Sequence, residues 1–291
     1  MTTSRVVVGA PAGVRHLVSD LEDWWIATRH QLRHYLRTNR FLGLLGFVFV
    51  VSALTLTFEV SVGIPTERLA QLDHPSEYVC NFLGYAPLWI ILAAAFFGGD
   101  ALSVDFSTGA GYYMLVLPIR RSVLLVGRYA AAALATFAVV GLYYAFAIVG
   151  GAYFFSSASL PWWGIGESLG AAALFTLSTL SVAFCVSAFI RSPSAGVLIT
   201  ILALFVVFAA LENVTELANF EPWFSLYYGG GAIYSILDTD FIHRQLVPLG
   251  AGQYSVIWTA TVPEGLAIMV GYIAAFLPLS AYLYYRKESS G

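Results

Sequence analysis

Six long apolar runs constrain the fold of this chain more than any other feature of its sequence. They cover approximately residues 41–60, 82–101, 123–155, 169–190, 195–211 and 266–285. A helix needs about 20 apolar residues to cross the hydrocarbon core of a bilayer. The runs show no sustained alternation of apolar and polar residues, so strands of a membrane barrel are not indicated. Because 59% of the 291 residues are hydrophobic and only 11% are charged, the sequence predicts an all-α integral membrane protein with six transmembrane helices.

Positive charges are distributed unevenly between the two predicted sides of the membrane. With the amino terminus inside, the outer segments carry only Arg68 and Arg244, together with most of the acidic residues outside the amino-terminal region. The inner segments carry Arg5, Arg15, Arg29, Arg33, Arg37, Arg40, Arg120, Arg121, Arg128, Arg191, Arg286 and Lys287. Such a bias orients membrane proteins with the basic segments in the cytoplasm. We therefore predict cytoplasmic termini and a multi-pass protein of a prokaryotic plasma membrane.

The segment before the first run, residues 17–40, is predicted to be an amphipathic helix. Its apolar residues, Trp24 and Trp25 among them, recur at helical spacing. Arg29, Arg33 and Arg37 follow one another every four residues on the adjoining face, and Arg40 lies close to the same line. This pattern is typical of a helix in the cytoplasmic interface, with tryptophans at the acyl boundary and arginines at anionic headgroups. A plain solvated helix leading into the membrane is the alternative. The predicted division is therefore an amino-terminal region, residues 1–40, and a permease domain, residues 41–291.

The sequence offers no site for chemistry of its own. A phosphate-binding P-loop requires a lysine after its glycines, but Lys287 near the carboxyl end is the only lysine. His30 and His34 have the spacing of two metal ligands on a helix but lack convincing further ligands. His243 is assigned to an outer loop, and no histidine falls within a predicted span. We expect neither catalytic, cofactor nor metal-binding residues, and the mid-membrane charges typical of ion-coupled carriers are not apparent.

The polar segment between the second and third runs breaks the apolar pattern with charges, glycines and a proline. Its distinctive residues are Ser103, Asp105, Gly109 with Ala110, the leucines from Leu115 to Leu117, Pro118, Ile119, Arg120 and Arg121, followed by Gly127 and Arg128. In order and spacing this segment resembles the region after the second span in permeases of the ABC-2 type, the exporter class of ATP-binding cassette transporters. Asp105 stands where glutamate is commoner in that family, and Ala110 stands where threonine is usual.

The resemblance implies a permease subunit with a coupling loop at residues 102–122, in which Ser103, Asp105, Gly109, Leu115, Pro118, Arg120 and Arg121 contact a separate ATPase. ATP and Mg²⁺ would bind to that ATPase, and the expected partners are the ATPase, a second permease copy and membrane lipids, without nucleic acid. A large outer segment, residues 212–263, would separate the last two spans. The resemblance places the second and fifth spans nearest the transport path, and their apolar, aromatic sequences favour a hydrophobic or amphipathic substrate. A secondary carrier or a non-transporting membrane scaffold is the alternative.

Overall fold

The computed structural model describes residues 12–62, 75–104, 120–155, 157–238, 241–250 and 253–289. Six of the helices it describes are long and apolar enough to cross a membrane, which confirms the predicted number and the multi-pass helical architecture. We call them spans 1 to 6, in order Asn39–Phe58, Pro75–Gly98, Ser122–Phe155, Trp162–Phe189, Pro193–Thr215 and Val262–Arg286.

Two of the spans are not continuous α-helices. Span 2 consists of the helices Pro75–Leu83 and Ala86–Gly98, which meet at a turn just before Pro87. A proline in the first turn of the second helix has no amide proton to lose there, so the break costs little. Span 5 begins as Pro193–Ile201, widens into a π-helix over Leu202–Val207 and ends as Phe208–Leu217. Spans 1, 3 and 6 lie within the helices Asn39–Val62, Arg121–Phe155 and Val262–Ser289.

Spans 2 and 4 form the centre of the bundle. Within the most apolar part of each helix, 61% of span 2 and 67% of span 4 is buried, against 11% of span 6. The core side chains include Ile90, Phe97, Phe175 and Phe184, all almost completely buried. Spans 1, 5 and 6 therefore leave most of their apolar surface for lipid or for another protein chain.

The two ends of the bundle differ in character. Arg40, Arg128, Arg191 and Arg286 lie at the end where spans 1, 3 and 5 begin and spans 2, 4 and 6 end. We call it the arginine end, and the sequence predicts that it faces the cytoplasm. The opposite end carries the segment that follows span 5. We call it the hairpin end because of the two strands described below.

The amino-terminal helix, Ala12–Arg37, packs against the beginning of span 3 at the arginine end. Thr28 is buried beside Gly127 of span 3. Tyr35 is buried against span 2, where its hydroxyl donates a hydrogen bond to the carbonyl oxygen of Phe97, at 2.8 Å. Leu21 and Trp25 on the neighbouring face are exposed. The amphipathic helix predicted from the sequence is present, and part of its apolar face is covered by the bundle.

After span 5 the chain turns back into the bundle. Two short helices, Leu226–Gly230 and Ala232–Ser235, are buried between spans 2, 4 and 6. A Cβ atom on Gly230 would lie 3.0 Å from the Phe175 ring, near the middle of span 4, and 3.4 Å from Pro87. The glycines of the YYGGGA stretch therefore permit close packing. We call residues 226–235 the re-entrant segment.

A β-hairpin follows the re-entrant segment and departs from the all-α prediction. Strand β1, Arg244–Gly250, pairs in antiparallel fashion with β2, Gln253–Trp258, with an irregularity between Pro248 and Gly250. The sequence signal was available, because a glycine-containing turn separates two short stretches of apolar and β-branched residues. The alternation of apolar and polar residues in this stretch is too short to predict strands, because the stretch begins with charged residues and lies between apolar helices.

Candidate coupling site at the arginine end

The segment that leads into the predicted coupling loop is tied to span 4 by one hydroxyl group. Ser187 is completely buried, and its Oγ accepts hydrogen bonds from the backbone N–H groups of Leu102, at 2.9 Å, and Ser103, at 3.1 Å. The Ser103 hydroxyl in turn donates to the carbonyl oxygen of Asp100, at 3.2 Å. We call residues 100–103 the anchor turn. Because buried N–H groups are costly to leave unpaired, Ser187 fixes this turn against span 4.

An ion pair joins the anchor turn to the start of span 1. Arg40 donates a hydrogen bond to Oδ2 of Asp100 at 2.7 Å, and the Asp100 side chain is only 11% exposed whereas that of Arg40 is 56% exposed. Burial raises the pKa of Asp100 above its usual value, and the neighbouring Arg40 guanidinium opposes this shift. The carboxylate is therefore the member of the pair that loses hydration, and it depends on Arg40 for compensation.

A second arginine holds the anchor turn from the side of span 3. Arg128 is 5% exposed, and its guanidinium donates a hydrogen bond to the carbonyl oxygen of Ala101 at 3.0 Å. This arginine is one of the residues that carry the resemblance to ABC-2 permeases. Spans 1, 3 and 4 thus each contribute a polar side chain to the same short turn at the end of span 2.

Glycines bring span 2 into direct contact with its neighbours immediately before the anchor turn. A Cβ atom on Gly98 would lie 2.8 Å from the Cβ of Ala183 in span 4, and one on Gly99 would lie 2.9 Å from the Cα of Val197 in span 5. On span 5, a Cβ atom on Gly196 would overlap the carbonyl oxygen of Gly99. Any larger residue at these positions would force the helices apart.

The far end of the predicted coupling loop is also attached to the bundle. The carbonyl oxygen of Arg120 accepts hydrogen bonds from the amides of Val123 and Leu124, which begins the helix of span 3. One turn later, Gly127 lies against the amino-terminal helix, where an added Cβ atom would be 2.9 Å from the Cβ of Ala27. Both ends of the loop therefore connect to packed helices rather than to free chain.

The structure describes only part of the predicted site. Ser103 is buried in the anchor turn, Arg120 is exposed at the start of span 3, and Arg121 is the first residue of that helix. Four predicted contact residues, Asp105, Gly109, Leu115 and Pro118, lie outside the described residues. The roles of all these side chains toward an ATPase stay predictions.

On the amino-terminal helix the predicted interfacial residues separate into two groups. Arg29, Arg33, Arg37 and Trp25 are exposed, whereas Trp24 is partly buried and its carbonyl oxygen approaches Gly127. The Trp24 indole N–H is buried without a hydrogen-bond partner among the described residues. Arg40 follows the helix and belongs to the ion pair with Asp100. Sequence periodicity could not distinguish the two tryptophans because they are adjacent on the apolar face.

Sequence reasoning missed the partners of the anchor turn. Asp100, Ser187 and Gly196 are distant in sequence, and each lies in or beside an apolar run where its residue type is common. The pair Gly98–Gly99 immediately before a carboxylate was the available signal, because adjacent glycines at the end of an apolar helix permit close approach of other backbones.

A cavity of about 740 Å³ lies at the hairpin end between spans 4 and 6 and the re-entrant segment. Its walls include Ala171, Ile236, Val262 and Leu266, with Glu167 contributing charge. The Ser235 hydroxyl, which also lines it, is buried without a hydrogen-bond partner among the described residues. A mostly apolar cavity with few polar groups is typical of sites for small amphipathic molecules.

The chain matches no protein-family model and no curated protein sequence.

Proposed function

We propose that this chain is the membrane-spanning permease subunit of an ATP-driven exporter of the ABC-2 type, operating with a separate ATPase. The observation that carries the proposal is the anchor turn. Side chains from spans 1, 3 and 4 bind it, and Gly99 beside it contacts span 5. Displacement of the adjoining loop by a partner would therefore be transmitted to five of the six spans.

Rigid attachment is the physical requirement for such a coupling element. A loop tethered only by its peptide chain would absorb an applied displacement by changing its own dihedral angles. Here the hydrogen bonds of Ser187 and Arg128 are buried, so breaking them would leave unpaired polar groups at a cost of about 1–3 kcal/mol each. A concerted movement of the attached helices then costs less free energy than breaking these hydrogen bonds.

The transported substrate is proposed to be hydrophobic or amphipathic. The largely apolar cavity between spans 4 and 6 supports this class, and the re-entrant segment beside it would separate the cavity from the centre of the bundle. Spans 1 and 5 expose apolar faces, which supports a second permease copy as a partner besides lipids.

Purification of the tagged protein from its native membrane tests the proposal. An ATPase carrying nucleotide-binding motifs should copurify, and ATP hydrolysis should depend on the permease. Replacing Asp105 and Arg121 with alanine should release the ATPase or uncouple hydrolysis from transport, whereas alanine at Glu167, at the hairpin end, should leave ATPase association unchanged. Absence of any ATPase, or unaltered coupling in the double variant, would instead favour a secondary carrier or a scaffold.

A further inference from the structure

Three potential metal ligands converge at the hairpin end, away from the coupling site. Glu221 follows span 5, His243 immediately precedes β1, and Glu264 lies in the first turn of span 6. One nitrogen of the imidazole and one oxygen of each carboxylate lie within 4.8 Å of one another. Among the residues that the structure describes, no other three His, Cys, Asp or Glu side chains converge in this way.

The hydrogen bonding of His243 defines which nitrogen faces the two carboxylates. Its Nδ1 lies 2.9 Å from the carbonyl oxygen of Thr259, which can only accept, so Nδ1 carries a proton. In the neutral ring, the lone pair is then on Nε2. This nitrogen is 3.9 Å from Oε1 of Glu221, too far for a hydrogen bond. A cation between Nε2 and the two carboxylates would accept the nitrogen lone pair and balance the carboxylate charges.

Both carboxylates are themselves held in place. Glu221 Oε1 accepts a hydrogen bond from the Tyr228 hydroxyl at 2.6 Å, and Glu264 Oε2 accepts one from the backbone N–H of Thr261 at 3.0 Å. Ligands oriented by a further hydrogen bond are the usual arrangement around protein-bound metal ions.

We propose that Glu221, His243 and Glu264 form a binding site for a divalent first-row transition-metal ion such as Zn²⁺. Two carboxylates and a neutral imidazole supply a charge that matches a divalent cation, and imidazole favours such ions over Mg²⁺ or Ca²⁺. Three protein ligands leave a coordination position for water. Tetrahedral Zn²⁺ with usual bond lengths places ligand nitrogen and oxygen about 3.4 Å apart, so Nε2 and Oε1 need to approach only slightly.

The consequence of binding follows from the positions of the ligands. Glu221 is near the start of the re-entrant segment, His243 is at the base of the hairpin, and Glu264 is on span 6. A bound ion would join these three elements and restrain the wall of the nearby cavity, to which Thr261 and Phe241 contribute. The site is independent of whether the chain works with an ATPase.

Metal titration of the full chain in detergent tests the proposal. The protein is first treated with a chelator, and Co²⁺ is added as a visible-light probe before competition with Zn²⁺. The background variant carries His30→Asn and His34→Asn, because that histidine pair could bind metal on its own. We expect the protein to bind one equivalent of Co²⁺ and to show the absorption bands of nitrogen and oxygen ligation. One equivalent of Zn²⁺ should then displace the Co²⁺ and abolish these bands.

Variants then assign the ligands. His243→Asn and Glu264→Gln should each weaken Zn²⁺ binding at least about 100-fold, and Tyr228→Phe, which removes only a supporting hydrogen bond, about 10-fold. Glu264 is exposed, so its variant keeps the test valid if His243→Asn does not fold, as judged by gel filtration. No cobalt bands in the background protein, or unchanged affinity in the Glu264→Gln variant, would overturn the proposal.

Discussion

The Gly196 backbone in span 5 lies in contact with the carbonyl oxygen of Gly99 at the end of span 2, with no room for a Cβ atom between them. This contact is adjacent to the anchor turn, in which Asp100, Ala101 and Ser103 are bound by polar side chains from three other helices. The anchor turn and its glycine contacts are therefore the place where span 2 is joined to spans 1, 3, 4 and 5 at once.

Replacement of Gly196 by alanine should destabilise the protein although alanine is the better helix former. Relief of the overlap with Gly99 requires a backbone shift, which costs about 1–3 kcal/mol. The matched control is Gly141→Ala in span 3, where a Cβ atom meets nothing within 4 Å; alanine there should stabilise by about 0.5–1 kcal/mol. Thermal unfolding in detergent measures the stability of both variants. If both alanine substitutions stabilised the protein, or both destabilised it, the close contact at Gly196 would be contradicted.

Replacement of Ser187 by alanine should lower stability by about 2–4 kcal/mol, because the buried amides of Leu102 and Ser103 both lose their acceptor. Ser178→Ala is the control, since that equally buried hydroxyl donates only to Phe175 in its own helix. Denaturation monitored by tryptophan fluorescence compares the two variants. Equal decreases in the unfolding free energy of the two variants would show that Ser187 stabilises the protein no more than a serine bonded within its own helix.

The Arg40–Asp100 pair should make stability depend on pH in a defined direction. Because the native pKa of Asp100 is raised above 3.8, the contribution of this group to stability falls as pH rises through that native pKa. In Arg40→Gln the guanidinium that opposes the shift is absent, so the pKa of Asp100 rises further. The decrease in stability then extends to higher pH.

The difference in unfolding free energy between the protein and Arg40→Gln should therefore be larger at about pH 8 than at about pH 5. Asp100→Asn removes the buried charge and should make the subsequent loss of Arg40 nearly neutral. A double-mutant cycle at both pH values measures this coupling. A coupling free energy that is the same at both pH values would exclude Asp100 as the titrating group.

The two tryptophans of the amino-terminal helix should differ in their contributions to stability. The Trp24 side chain is partly buried, with its indole nitrogen inside the protein, whereas Trp25 is 57% exposed. Trp24→Ala should lower the unfolding temperature in detergent, and Trp25→Ala should leave it nearly unchanged but reduce contact with lipid. Quenching of a fluorophore attached at position 25 by brominated lipids measures that contact, with a label at exposed Arg29 for comparison. Equal decreases in unfolding temperature for the two variants would indicate that both side chains pack against the bundle.

The sequence alone determined the six spans, because the requirement for an apolar helix long enough to cross a bilayer is met within each run separately. It also located the amino-terminal helix and drew attention to Ser103, Gly127 and Arg128. These features can be predicted from the sequence because they depend on local composition and helical spacing.

Only the tertiary structure decided which helices meet and through which residues. Ser187 is one of many serines in apolar helices, and its role appears only when span 4 places its hydroxyl beside the amides of Leu102 and Ser103. Glu221, His243 and Glu264 are likewise brought together by the re-entrant segment and the hairpin. Such contacts depend on the directions and separations of packed helices, and no local pattern of residues encodes these.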